Sequence, residues 1–202
     1  MNSAAWDRLY AAEGTVWSLE PNRFVVEQTE GLPPGRALDL AGGEGRNAIW
    51  LAQRGWSVEL VEFSRIALDT ARQRAEHAGV RIELTAADLT ARPTLQPADL
   101  VLLAYLQLPR EPSTRATRSA AAAVGPGGML LIVAHARRNL EDGYGGPPDP
   151  AVLRSVDEVV QDLAGTGLVV DLAEEVIRTV ETDEGPRDAI DLIVRARRSA
   201  VA

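Results

Sequence analysis

The sequence contains neither cysteine nor lysine, so all 21 of its basic residues are arginine. The lack of cysteine excludes disulfides, thiolate nucleophiles and cysteine-ligated metals. The lack of lysine excludes Schiff-base chemistry with pyridoxal phosphate and the phosphate-binding lysines of P-loop proteins and kinases. Because there are also only two histidines, no metal site is expected.

Long hydrophobic runs are absent as well. No segment reaches the roughly 18 to 20 apolar residues that cross a bilayer, and the first residues, MNSAAWDRLYAAEG, lack the pattern of a signal peptide. These absences predict a cytoplasmic protein with no membrane partner. The net charge of −8 gives a surface that repels phosphate backbones, so no nucleic-acid partner is expected.

What is present is a regular alternation of strand and helix patterns. Apolar strand-like runs at 37–41, 58–63, 99–104 and 129–134 alternate with helical patterns, which indicates a parallel sheet covered on both faces. Two further strand patterns, near 168–180 and 188–197, are joined by the short turn ETDEGP and predict an antiparallel hairpin. The fold class is therefore a single-domain, doubly wound α/β sheet of Rossmann-like type over residues 1–202.

A glycine-rich loop follows the first strand. Gly42, Gly43 and Gly45 let a ligand approach backbone N–H groups at the start of the next helix. Gly43, Gly45 and Ala48 also fit the small-residue spacing of a dinucleotide fingerprint, with Glu62 at the distance expected for ribose recognition. The loop alone therefore leaves two kinds of cofactor open.

Asp39 favours one of them. A carboxylate within a buried strand is costly unless it has a partner, and the corresponding dinucleotide-binding strand normally has no acid there. S-adenosylmethionine carries an ammonium and a sulfonium group, so a carboxylate before the loop has a cationic partner in that ligand. The other interpretation is an aspartate satisfied by N–H groups of the loop.

With Asp39, Ala41, Gly43 and Gly45 in order, and with Glu62, Asp88 and the strand Asp99 to Tyr105 after them, the sequence resembles the class I S-adenosylmethionine-dependent methyltransferases. Alanine at position 41 replaces the first glycine of that motif. WDRLY, WSLEPN and GEGRNAIWLAQRGW resemble the small-molecule branch that includes tellurite-resistance and thiopurine methyltransferases. The resemblance implies seven strands, the last antiparallel, and S-adenosylmethionine as cofactor.

The resemblance also implies the roles of individual residues. Glu62 is expected to accept the ribose hydroxyls, Phe63 to lie against the adenine, and Asp88 with the backbone of Leu89 to bind the adenine edge. The complete set of expected cofactor-binding residues is Asp39, Ala41, Gly42, Gly43, Gly45, Asn47, Glu62, Phe63, Asp88, Leu89 and Ala104.

The acceptor side is predicted at the ends of the fourth and fifth strands. Tyr105 and His135 are the catalytic candidates, because a neutral imidazole accepts a proton near pH 7 and a tyrosine orients or walls a substrate. Arg46, Tyr10 and Trp17 are the expected substrate-binding residues, the last two within an amino-terminal lid segment (1–33) over a core (34–202). The glycine- and proline-rich segment 141–150 is a surface loop that either connects passively or covers the ligand.

The function expected from these features is methyl transfer to a small-molecule acceptor through an oxygen, nitrogen, sulfur or metalloid atom. Two alternatives stay open: a nicotinamide-dependent oxidoreductase, and a non-catalytic S-adenosylmethionine-binding protein. The sequence leaves the oligomeric state undetermined.

Overall fold

The structure is a computed structural model, and it describes Asp7 and residues 19–200. The strands are β1 (Arg36–Leu40), β2 (Ser57–Glu62), β3 (Glu83–Ala86), β4 (Ala98–Ala104), β5 (Val124–His135), β6 (Leu168–Val180) and β7 (Arg187–Arg198). The helices are α1 (Arg23–Thr29), α2 (Arg46–Gln53), α3 (Arg65–His77), α4 (Arg110–Ala122), α5 (Asn139–Asp142) and α6 (Val156–Leu163). Leu89–Ala91 and Pro150–Val152 form short 3-10 turns.

The strands form one seven-stranded sheet in the order β3-β2-β1-β4-β5-β7-β6. β1 lies between β2 and β4 and is parallel to both. β7 is antiparallel to β5 and to β6, with which it forms the hairpin that the short turn predicts. The predicted α/β sheet of seven strands with an antiparallel last strand is confirmed.

Side chains cap the first turns of α3 and α6. The Ser64 side chain accepts a hydrogen bond from the Ala67 N–H at the start of α3. Ser155 and Glu158 form a capping box at the start of α6, in which each side chain accepts a hydrogen bond from the other residue's backbone N–H. Such caps satisfy N–H groups that the helix itself leaves unpaired.

The two faces of the sheet bury separate cores, because successive side chains of a strand point to opposite faces. On one face Leu38 and Leu40 pack with residues of α4 and α6. On the other face Ala37 packs with residues of α1, α2 and α3. Asp39 alternates with the two leucines, so its side chain points to the face that carries α1, α2 and α3.

Two boundaries differ from the prediction. The apolar run 129–134 predicts a short strand, but β5 already begins at Val124 and includes the segment GPGG (125–128), with a register shift opposite Ala98 and Leu100 that accommodates the glycines. Part of the predicted lid segment belongs to the core, because Phe24 and Val25 of α1 are buried against the sheet. Within the described part of the chain, no helix has the length and apolar character needed to cross a membrane.

Candidate active site

The loop between β1 and α2 turns sharply through left-handed backbone conformations. Gly43 and Gly45 have φ of 57° and 81°. Ala41 has φ of 53°, although it carries a Cβ that disfavours this region. A Cβ on Gly45 would lie 3.2 Å from the Ala71 Cβ, so this glycine also lets α2 and α3 approach each other.

Asp39 lies beneath this loop and is completely buried. Its Oδ2 accepts a hydrogen bond from the Ala48 N–H at 3.1 Å, in the first turn of α2. Its Oδ1 has no hydrogen-bond partner among the described residues. Burial raises the pKa of Asp39 to about 7. A buried carboxylate with one unsatisfied oxygen is costly, so a cationic ligand nearby would stabilise its charged form.

Glu62 ends β2 and is held by three backbone donors. The Gly43 N–H donates to its Oε2 at 3.2 Å, and the N–H groups of Phe63 and Ser64 donate to its Oε1 at 2.9 Å each. Burial raises the pKa of Glu62, and these hydrogen bonds oppose that rise. The Ser64 hydroxyl also donates to Asp7, which brings a residue of the amino-terminal segment beside the end of β2.

A cavity of about 680 Å³ opens at the carboxyl ends of β1, β2 and β4. Its size lies within the usual range for small-molecule and cofactor sites, and its position is the one that open α/β sheets use for ligands. The predicted site residues that line it are Ala41, Gly42, Gly43, Arg46, Asn47, Glu62, Phe63, Asp88, Leu89, Ala104 and Tyr105.

Three predicted site residues lie beside the cavity rather than on its wall: Asp39, Gly45 and His135. Both Asp39 and Gly45 support the glycine loop: Asp39 accepts a hydrogen bond from the Ala48 N–H, and Gly45 lets α2 approach α3. Tyr10 and Trp17, predicted to bind substrate, lie outside the described residues.

Asp88 has a local structural role as well as a place on the cavity wall. Its Oδ1 accepts hydrogen bonds from the Thr90 N–H at 2.8 Å and the Thr90 hydroxyl at 2.7 Å. These bonds fix the start of the 3-10 turn that contains Leu89. The turn therefore presents Asp88 and the Leu89 backbone at the end of the cavity beside β3.

The opposite end of the cavity holds interlocked side chains. Tyr105 directly follows β4 and has φ of 55°, an unfavourable conformation for a bulky residue. Its hydroxyl donates to Asp191 Oδ2 at 2.7 Å and accepts from Asn22 Nδ2 at 3.3 Å. Burial raises the pKa of Tyr105, and the Asp191 charge raises it further. The tyrosine is therefore held as a neutral phenol.

His135 is the last residue of β5 and pairs across the sheet with Asp191 of β7. Its Nδ1 lies 3.0 Å from Asp191 Oδ1, and its ring centroid lies 4.7 Å from that of Tyr105. A Cβ on Gly146 would lie 3.3 Å from the imidazole, so the 141–150 loop packs against this histidine.

Arg46 begins α2 and lines the cavity near Tyr105, with its Cζ 6.0 Å from the centroid of that ring. Burial lowers the pKa of Arg46, and the Arg178 charge lowers it further. No ion pair joins Arg46 to any of the described carboxylates. An anionic group of a ligand would therefore be stabilised here.

Sequence reasoning missed three residues of this end: Asn22, Arg178 and Asp191. Asp191 carried a usable signal, since it interrupts the apolar run of β7 much as Asp39 interrupts β1. Asn22 caps α1 through its Oδ1 and reaches Tyr105 through its amide nitrogen, a double role that no local pattern predicts. In the described part of the chain, no group of acids and histidines could hold a metal ion.

Comparisons with known proteins agree with this geometry. Residues 37–128 match the family model described as a methyltransferase domain, Methyltransf_25. The tRNA 5-carboxymethoxyuridine methyltransferase of Escherichia coli K12 is 35% identical over 103 residues, which are 48% of this chain and 39% of that protein. The chain thus matches well under half the length of this relative.

Solved structures show the same fold at low identity. A structure from work on the conversion of a disulfide bond into a thioacetal group in echinomycin biosynthesis has a TM-score of 0.80 at 21% identity, covering 99% of this chain and 93% of that one. TehB from Haemophilus influenzae has a TM-score of 0.74 at 20% identity, covering 96% and 66%. Magnesium protoporphyrin IX methyltransferase from Synechocystis PCC 6803, solved with bound SAH, has a TM-score of 0.69 at 19% identity, covering 98% and 95%.

The resemblance seen in the sequence is therefore confirmed. Residues 37–128, somewhat under half of the chain, match a methyltransferase domain, and the fold is shared with class I S-adenosylmethionine-dependent methyltransferases, whose cofactor is S-adenosylmethionine. The unsatisfied buried Oδ1 of Asp39 is chemically compatible with this cofactor, because S-adenosylmethionine carries a cationic ammonium group. Because the relative named above modifies tRNA, the acidic charge of this chain does not by itself exclude a nucleic-acid acceptor.

Proposed function

We propose that the chain transfers a methyl group from S-adenosylmethionine to a small-molecule acceptor. When bound, the cofactor supplies an electrophilic methyl group that an acceptor atom attacks in line. The observation that carries the proposal is the pairing of a buried, half-satisfied Asp39 with Glu62 at the next strand end, on either side of one glycine loop. The first carboxylate suits an ammonium group, and the second suits hydroxyl groups.

The protein's own contribution is to hold the reactants and exclude water. Glu62 is positioned by three N–H groups and would accept ribose hydroxyls. Phe63, Asp88 and Leu89 would enclose the adenine at the β3 end of the cavity. The acceptor would then enter on the opposite side, beside Tyr105 and Arg46, where the wall carries a neutral phenol and a cation.

The strand order argues against the nicotinamide alternative. The usual dinucleotide-binding sheet has strand order 3-2-1-4-5-6, whereas here an antiparallel β7 lies between β5 and β6. Isothermal titration calorimetry with S-adenosylhomocysteine, S-adenosylmethionine and NAD⁺ tests this choice. We expect the first two to bind with micromolar affinity and NAD⁺ to give no heat; tight NAD⁺ binding alone would refute the proposal.

The acceptor class is tested by release of S-adenosylhomocysteine from S-adenosylmethionine. Thiols, hydroxyl compounds, amines, carboxylates and metalloid oxyanions form the small-molecule set. Turnover with one of these classes supports the proposal. Cofactor binding without turnover against any acceptor would instead indicate a non-catalytic binding protein.

A tRNA acceptor is the second candidate, and the 35% identity to a tRNA methyltransferase over 103 residues is the observation in its favour. The net charge of −8 opposes it, because binding a polyanion normally requires a basic surface. Incubation of total tRNA with methyl-labelled S-adenosylmethionine separates the two. Label that precipitates with the tRNA would replace the small-molecule proposal.

A further inference from the structure

We propose that Asp191 is a positioning residue that fixes the tautomer of His135, so that the Nε2 atom of this histidine accepts the proton of the methyl acceptor. The inference rests on the proposed methyl transfer, and it names the atom that receives the proton lost by the acceptor. It also extends the acceptor site past Tyr105 towards the end of β5.

Asp191 is completely buried and binds three side chains at once. Its Oδ1 faces His135 Nδ1 at 3.0 Å, and its Oδ2 accepts from the Tyr105 hydroxyl and from Arg178 Nε at 2.7 Å each. Burial opposes ionisation of Asp191, but these hydrogen bonds outweigh it and lower its pKa. The group is therefore a carboxylate, which can only accept hydrogen bonds.

Because the Asp191 carboxylate can only accept hydrogen bonds, it determines the tautomer of the His135 imidazole. In neutral His135 the nitrogen facing Asp191 must carry the hydrogen, so Nδ1 is the donor and Nε2 keeps its lone pair. No described residue forms a hydrogen bond with Nε2. The His135 side chain is 12% exposed, so a small molecule can reach it only at a limited part of the ring.

Tyr105 does not compete for this role. Its hydroxyl hydrogen is directed at Asp191 and its oxygen accepts from Asn22, so its polar atom is engaged on both sides. Burial raises its pKa, so near neutral pH the residue stays a phenol and the phenolate that could accept a proton is not formed. Of the two residues predicted to be catalytic, His135 is therefore the base, and Tyr105 forms the wall and orients Asp191.

With His135 as the base, every proton and electron pair of the proposed methyl transfer is accounted for. The lone pair of the acceptor atom forms the bond to the methyl carbon, and the electron pair of the carbon–sulfur bond returns to sulfur, giving S-adenosylhomocysteine. The acceptor's hydrogen passes to Nε2 of His135. The resulting imidazolium is stabilised by the Asp191 carboxylate at its other nitrogen, as in other histidine–carboxylate pairs.

The substitution Asp191→Asn gives a directional prediction. Tyr105 and Arg178 both donate to the same oxygen of Asp191, so the amide oxygen of asparagine is held on their side. The amide NH₂ then faces His135 Nδ1 and requires it to accept. His135 is thereby forced into the Nε2–H tautomer, which cannot accept a proton at Nε2. In serine-protease triads this kind of substitution strongly lowers turnover. Here we expect a loss of up to about 100-fold, the usual contribution of a general base.

Nitrogen-15 NMR of protein labelled at histidine measures the tautomer directly, without an acceptor. The chain has only two histidines, so the His77→Gln variant assigns both. At a pH where both rings are neutral, we expect wild-type His135 in the Nδ1–H tautomer and the Asp191→Asn protein in the Nε2–H tautomer. Tyr105→Phe is the matched control, because it removes one hydrogen bond from Asp191 but keeps the contact with His135; its tautomer should match wild type.

An Nε2–H tautomer in the wild-type protein would overturn the proposal, whether or not Asp191→Asn folds. Retention of Nδ1–H in a folded Asp191→Asn protein would overturn it as well. Calorimetry with S-adenosylhomocysteine is recorded in parallel, and its affinity should change by less than about threefold in the variant. If the wild-type protein does not bind S-adenosylhomocysteine, the proposed function is refuted, but the tautomer of His135 is still measured. Failure of the proposed function and failure of the tautomer assignment are therefore distinguishable.

Discussion

The two ends of the cavity use different chemistry to hold their polar groups. At the ends of β1 and β2, two carboxylates are bound by backbone N–H groups within one continuous stretch of chain. At the ends of β4, β5 and β7, Tyr105, His135 and Asp191 bind one another through side chains. The polar groups of the first end are therefore bound by backbone donors, whereas those of the second end depend on side chains from several elements.

The ends also share one feature. Each begins where a strand stops and a residue with a Cβ adopts a left-handed conformation: Ala41 after β1 and Tyr105 after β4. Strained conformations of this kind persist where surrounding contacts impose them, and they are frequent at functional sites. The difference therefore lies in the partners of the polar groups rather than in the backbone turns.

The largest expected effect is at the side-chain end. His135→Gln removes the proton acceptor and should lower turnover by about 100-fold or more, since general-base catalysis contributes that amount. S-adenosylhomocysteine affinity should stay within about threefold, as His135 is not on the wall of the cofactor cavity. Initial rates with the acceptor found by screening measure this, with His77→Gln as control. Wild-type turnover in His135→Gln would leave the histidine a structural role.

At the backbone end the effect falls on binding. Glu62→Gln removes the charge that three N–H groups hold in place and should weaken S-adenosylhomocysteine binding by about tenfold or more, as expected for a charge-assisted hydrogen bond. Calorimetry measures the change, and Glu83→Gln, at an exposed position of β3, is the control. Equal affinity in both proteins would remove Glu62 from the assigned cofactor site.

The pH dependence of binding tests Asp39. Its pKa is raised by burial to about 7, so an ammonium ligand that needs the carboxylate should bind roughly tenfold more tightly at pH 8 than at pH 6. Asp39→Asn should bind more weakly and lose most of this dependence, and calorimetry across the range measures both. A slope that persists unchanged in Asp39→Asn would assign it to another group, such as Glu62, whose pKa is also raised.

The same group predicts the pH dependence of stability. Because the pKa of Asp39 in the folded protein lies above that of an unfolded aspartate, the folded state binds more protons between about pH 4 and pH 7. The contribution of Asp39 to the free energy of unfolding therefore falls as pH rises through this window and is constant above it. Urea unfolding of wild type and Asp39→Asn, compared across that range, isolates this contribution.

The smallest effect concerns the turns that the two ends share. Ala41→Gly relieves a left-handed alanine and should raise the free energy of unfolding by about 1 kcal/mol. Arg92→Gly is the matched control, since Arg92 has φ of 55° but lies outside the cavity wall. Both should stabilise the protein to urea, but only Ala41→Gly should alter S-adenosylhomocysteine affinity. If neither variant is more stable than wild type, the left-handed conformation of these two residues does not destabilise the protein.

The sequence by itself determined the strand and helix alternation, the hairpin of β6 and β7, and the class of cofactor. These follow from local periodicity and from Asp39, Gly43 and Glu62, whose spacing along one stretch of chain fixes their positions in space. The sequence also predicted that Tyr105 and His135 lie at the ends of neighbouring strands. It did not predict that GPGG lies within β5, because a register shift depends on the partner strand.

Only the tertiary structure decided how the side chains around Tyr105 are organised. Asn22 precedes α1, Tyr105 follows β4, and His135 and Asp191 lie in β5 and β7. The four residues meet because the sheet places β7 beside β5 with His135 opposite Asp191. No periodicity along the chain specifies such a meeting, since it depends on strand order and register across more than 150 residues. The physical reason is that backbone contacts are encoded locally, whereas side-chain networks are encoded in the packing of distant elements.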